Sequence, residues 1–179
     1  MRKKLHIDIE TYSSVDLKTS GVYKYCESVD FEIMLIAYAV EDGPIKVIDL
    51  ANGEEIPVFL FHALTEPDFI KCAHNATFER LAFRAYGIDI PTEEWECSQV
   101  KANYCGLPAS LAQLSAALEL GEKGKLSTGS ALIRFFCCPI KPTKANGGRT
   151  RNYPEHDPEN SADYAKTENT EAAAGRTAS

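Results

Sequence analysis

Asp8 and Glu10 stand two apart in Lys-Leu-His-Ile-Asp-Ile-Glu, residues 4–10, where apolar and polar positions alternate. In a strand this alternation turns both carboxylates to one face, opposite Leu5, Ile7 and Ile9. Like charges so close repel unless cations neutralise them, and hard oxygen donors of this kind suit Mg²⁺ or Mn²⁺. The same spacing also describes ordinary acids on a solvent-facing strand. A second cluster, Ala73-His74-Asn75-Ala76-Thr77-Phe78-Glu79, sets His74 and Asn75 at an expected strand end and Glu79 one turn into the following helix. Strand ends are where α/β sheets gather their ligands. Asn75 serves equally as a helix cap, and Glu79 with Arg80 as a solvated helix face. In a third cluster Tyr164 and Glu168 are four apart, hence on one side of a helix, where a phenol beside a carboxylate orients an attacking water. Tyr153 and Asp157 have the same spacing, but the intervening Pro154 and the following Pro158 disfavour a helix.

The elements that must position these groups follow from pattern. Residues 4–10 read as a first strand, and residues 33–40 and 45–50 as two more, joined by the turn Glu41-Asp42-Gly43-Pro44. Together they predict a three-stranded antiparallel unit. Pro57 opens a short helix through Leu64, and Phe69 to Ala73 is a buried strand parallel to the first, reached by that crossover helix. Helical spacing runs from Thr77 to Tyr86 and stops at Gly87. Residues 98–104, 110–118 and 128–137 read as three helices, each opened by a Ser or Thr that can act as N-cap. Residues 139–158 read as a loop rich in Pro, Gly and charge, and residues 175–179 as a disordered tail.

At 179 residues, one domain spanning residues 1–179 is expected, and 44% apolar with 25% charged residues is ordinary globular usage. No run approaches the length of a membrane helix and no secretory signal opens the chain, so a cytoplasmic protein is expected. Six scattered cysteines without a Cys-x-x-Cys pair argue for reduced thiols and against structural zinc. The net charge of −7 excludes a protein that coats nucleic acid by bulk electrostatics. Its distribution matters more: seven basic residues and no acid lie between Lys123 and Pro154, so the rest of the chain is twice as acidic as the total suggests. That stretch is either a solvated cationic loop or a contact for phosphates, with Arg149 and Arg151 near its end.

The order Asp-x-Glu-Thr, then His-Asn-Ala-x-Phe-acid, then Tyr-x-x-x-acid resembles the tyrosine subtype of the DEDD exonucleases. Residues 5–25, 73–80, Gly106-Leu107-Pro108 with Ser110-Leu111, and 129–139 are similar to the start of phage-type family A DNA polymerases. The resemblance implies an α/β fold with an RNase H-like mixed sheet, three antiparallel strands plus parallel strands, flanked by helices. It also implies a 3′→5′ proofreading exonuclease acting on the 3′ end of single-stranded DNA with two divalent ions, Mg²⁺ or Mn²⁺. Asp8, Glu10, Glu79 and Glu168 match the metal ligands, and Tyr164 the water-orienting residue. Thr11, His74, Asn75 and Phe78 fall near the terminal nucleotide, with core packing as the other role for Phe78. Glu168 stands where the family usually has aspartate, and the residues after it do not match. No polymerase domain is expected within the chain, although a polymerase domain or subunit is an expected partner. Two other readings stay open: a non-catalytic remnant that binds nucleic acid or a polymerase, and a ribonuclease of the same fold.

Overall fold

A computed structural model of the protein describes residues 2–120 and 129–158. Strand β1, Lys3–Tyr12, buries Leu5, Ile7 and Ile9 and leaves the intervening polar residues half-exposed, as the alternation predicts. It pairs antiparallel with β2, Glu32–Val40, which pairs antiparallel with β3, Lys46–Asp49. The β2–β3 turn carries Glu41 at φ 50°, and a Cβ on Gly43 would lie 2.8 Å from the Val40 carbonyl oxygen, so the predicted turn needs its glycine. Helix α1, Leu17–Cys26, lies between β1 and β2.

Helix α2, Val58–Thr65, follows β3 and buries Leu60, Ala63 and Leu64, the i, i+3, i+4 face of a helix lying on a core. It carries the chain back to β4, Phe69–Ala73, which runs parallel to β1 from Lys3 opposite Phe69 to His6 opposite Cys72. Helix α3, Thr77–Ala85, leads to β5, Trp95–Cys97, parallel to β4. The sheet order is β3-β2-β1-β4-β5, the mixed sheet of an RNase H-like α/β fold. Helices α4 (Ser98–Tyr104), α5 (Leu111–Ala117) and α6 (Gly129–Phe136) complete the regular elements of the described residues.

Two elements escaped the sequence pattern. Helix α1 is broken by Gly21 at φ 79° into two short turns, too short for helical periodicity to register. β5 is three residues long and is held by pairing with β4 rather than by any alternation of its own. The expected hydroxyl caps also differ: Cys97, not Ser98, precedes α4, and Ser110 sits at the α5 N-cap without a side-chain bond to it.

The main core joins Leu5, Ile7 and Ile9 to Ile36, Leu60, Leu64 and Phe83. A second cluster lies where α6 packs Phe136 and Cys137 against Tyr12, Met34 and Leu35. Strand β2 is buried through almost all of its length because both clusters draw on it. Among the described residues no helix is long and apolar enough to cross a membrane.

Candidate active site

Asp8 and Glu10 lie on one face of β1, opposite Ala37 and Leu35 of β2. Directly after Glu10 the register slips, so that Thr11 faces Ile33 and Met34 is the extra residue on β2. Such a bulge bends the strand and re-aims the side chains beside it. β4 ends at Ala73, and its register with β1 sets the 74–76 turn at the level of Asp8. Helix α3 starts from that turn and brings Glu79 back toward the β1 acids.

Glu79 is 4% exposed, and its Oε2 is buried with no hydrogen-bond partner. Burial pushes its pKa well above the usual glutamate range, and the negative charge of Asp8 pushes it further, with a smaller push from Glu10. Glu79 on α3 thus lies within the electrostatic reach of Asp8 and Glu10 on β1. Among the described residues no three His, Cys, Asp or Glu side chains converge as a finished metal cluster.

The Cys137 thiol donates to Glu10 Oε2 at 3.4 Å, joining the end of α6 to β1. Neither local pattern nor spacing marks this contact, because the two residues are 127 apart. Thr11 is buried, its Oγ1 2.9 Å from the Tyr25 hydroxyl, which donates to the Thr11 carbonyl at 3.2 Å. A tyrosine has one proton, so Thr11 is the donor in the first of these bonds. Tyr25 packs on Phe78 with ring centroids 6.0 Å apart, and Phe78 also rests against the main core. Glu10, Thr11, Ser13, Tyr25, Phe78 and Cys137 line an open cleft of about 420 Å³.

His74 has both ring nitrogens engaged: Nδ1 is 3.0 Å from Ser98 Oγ and Nε2 2.9 Å from the Ala109 carbonyl. A carbonyl only accepts, so Nε2 carries a proton, and His74 clamps the 106–110 turn to the end of β4. Asn75 is exposed at φ 65°, and its backbone carbonyl accepts from the Phe78 N–H at 2.8 Å. Ala76 occupies the N-cap position of α3 without a side-chain cap, so Asn75 is a turn residue rather than the helix cap.

Arg151 does not lie on the surface that the basic stretch suggested. It is 9% exposed, ion-paired with Glu32, and its guanidinium is 3.8 Å from the Tyr12 ring centroid and 4.7 Å from that of Tyr153. The charge is satisfied inside the protein because the chain after the basic loop folds over the end of β1. Arg149 is half-buried. Residues Pro154–His156 form a 3₁₀ turn that ends at Asp157, so Tyr153 and Asp157 do not share an α-helical face. Tyr164 and Glu168 lie outside the described residues.

No protein-family model matches the chain. A solved structure described as the apo form of a nuclease aligns with 99% of this chain and 70% of its own, at 17% identity and a TM-score of 0.47. The DNA polymerase of Bacillus phage SP02 is 51% identical over 158 residues, which cover 88% of this chain and 24% of that protein. The chain therefore spans about a quarter of the length of the relative it matches. Identity at that level across nearly the whole chain places it among the relatives of a phage DNA polymerase.

Proposed function

We propose that this chain is a metal-dependent 3′→5′ exonuclease for single-stranded DNA, the proofreading part of a phage-type DNA polymerase. The observation that carries the reading is the buried Glu79 carboxyl, whose Oε2 has no hydrogen-bond partner, on the helix that packs against the strand of Asp8 and Glu10. A buried carboxylate oxygen without a hydrogen-bond partner, facing two more acids, is a donor set suited to hard divalent cations. The residues fit the group: Asp8, Glu10 and Glu79 would hold it, with Glu168 as the fourth ligand and Tyr164 beside the attacking water. The chemistry that a pair of such ions supplies when bound is activation of water and stabilisation of the departing 3′ oxygen.

The chain's own residues do the remaining work. Burial and the charge of Asp8 favour the protonated form of Glu79, and a bound cation would favour its carboxylate instead. The Cys137 thiol occupies Oε2 of Glu10 and ties that side chain to the end of α6. The cleft beside Glu10 offers Phe78 and Tyr25 as an apolar wall for the last nucleoside, and Thr11 at its floor is held by Tyr25. His74 acts by fixing the neighbouring turn, in which Asn75 is exposed. The polymerase relationship supports single-stranded DNA as substrate and a polymerase as partner.

The test is a 5′-labelled single strand incubated with Mg²⁺ or Mn²⁺. The expected result is stepwise shortening from the 3′ end with release of nucleoside 5′-monophosphates, faster for DNA than for the matched RNA. Asp8→Asn should lower the rate at least about a hundredfold, since loss of a supporting outer-shell partner alone costs about 10–100-fold. Intact substrate at every enzyme concentration would establish the non-catalytic remnant instead, and preference for RNA the ribonuclease.

A further inference from the structure

The basic loop after α6 is not a loose cationic segment. Asn146 staples it: its Oδ1 accepts from the Thr143 N–H at 2.8 Å and the Gly148 N–H at 3.1 Å, while its Nδ2 donates to the Lys141 carbonyl at 2.9 Å. The Ile140 N–H donates to the Thr150 carbonyl at 2.8 Å and closes the base. Below the base, Asn152 donates to the Phe135 carbonyl at 3.0 Å, and Arg151 is held between Tyr12 and Tyr153 and paired with Glu32. Arg151 is therefore an anchor. Lys141 and Lys144 remain exposed and Arg149 half-exposed, with no acid between residues 139 and 154 to neutralise them.

The place of the loop decides what this charge faces. Cys138 and Pro139, where the loop begins, line the cleft that also holds Glu10. At its other end Arg151 lies on Tyr12, two residues beyond Glu10 on β1. A preordered cationic rim thus stands beside carboxylates that would otherwise repel a polyanion, on a chain whose net charge is −7. We infer that Lys141, Lys144 and Arg149 form a fixed track for the phosphates of the single strand just upstream of its 3′ end, with Arg151 as its buried anchor. The inference takes the identity of the strand from the nuclease reading. The sequence alone put Arg151 among the contacts, and the structure assigns it the opposite role.

Binding of a fluorescent oligothymidylate, in EDTA so that nothing is hydrolysed, is to be measured against salt concentration. Each lost phosphate contact on a single strand lowers the slope of log affinity against log salt by about 0.7. The variant Lys141→Gln/Lys144→Gln/Arg149→Gln should therefore lose about two from the slope. The variant Lys24→Gln/Lys46→Gln/Arg84→Gln, altered at exposed positions outside the loop, should keep it. Arg151→Gln should lower the melting temperature and, at temperatures where it is folded, leave the slope within 0.7 of the parent. An unchanged slope in the loop variant, or an equal fall in the distal variant, overturns the track. If the loop variant loses affinity for an acidic peptide but not for the oligonucleotide, the surface serves a protein and the inference also fails. A parent protein that shortens no strand refutes the nuclease assignment, while the slope still decides the track.

Discussion

At the residue scale, Glu79 is the side chain on which stability and the proposed function pull in opposite directions. Its pKa is raised, so between the ordinary glutamate range and that higher value the folded protein holds a proton that the unfolded chain has released. The cation-free protein is then fully stabilised below the ordinary value and loses stability as pH rises through the raised one. Glu79→Gln removes the ionisable group and should flatten this decline, leaving the variant more stable than the parent at neutral pH in EDTA. The same change should abolish divalent-ion-dependent cleavage. Urea unfolding across a pH series reads the first effect, and a lower stability of the variant at pH 7 would contradict it. Asp8 and Glu10 were legible from alternation alone, because a strand's period of two fixes which residues share a face. The condition of Glu79 was not legible, because burial and two distant charges create it. Cys137 and Tyr25 were not legible either: each touches its partner through tertiary packing.

At the scale of elements, the parallel pair β1–β4 does the positioning, since it sets the start of α3 level with Asp8. The β4–β5 edge is secured by an ion pair that composition does not reveal. Lys71, with a fully buried side chain, donates to Glu94 Oε2 at 2.6 Å and to the Glu66 carbonyl at 3.0 Å. Lys71→Ala would strand the Glu94 carboxylate in a dry setting, and removing one partner of a buried pair costs about 3–5 kcal/mol. Denaturant unfolding checks this, and a loss below about 1 kcal/mol would mean that water reaches Glu94 as it does an exposed pair. In the sequence, Lys71 interrupts an apolar run and reads as a blemish in a buried strand. Helix α1 and β5 stayed hidden for a related reason: both are shorter than the windows in which periodicity emerges, and neighbours stabilise them.

At the scale of the whole molecule, charge is divided between a fixed basic loop and a body carrying an excess of acid. Cations bound among the acids should therefore act as a folding ligand as well as a cofactor. At a hundredfold excess over its dissociation constant, a ligand that binds only the folded state contributes about 2.7 kcal/mol. Addition of Mn²⁺ should raise the melting temperature of the parent protein accordingly, and should do so far less for Asp8→Asn/Glu10→Gln. An equal rise in both proteins would place the bound ions elsewhere.

The sequence by itself determined which residues alternate, where the hairpin turns, that the fourth strand runs parallel to the first, and which acids share a face of β1. All of these depend on interactions within a few residues or on the geometry of a single crossover. Only the tertiary structure decided that Glu79 is buried against the β1 acids, that Thr11 is locked by Tyr25, and that Arg151 is folded under its loop. Each depends on which surfaces of distant elements meet, and a charge or hydroxyl has the same local pattern whether it ends in water or under a helix.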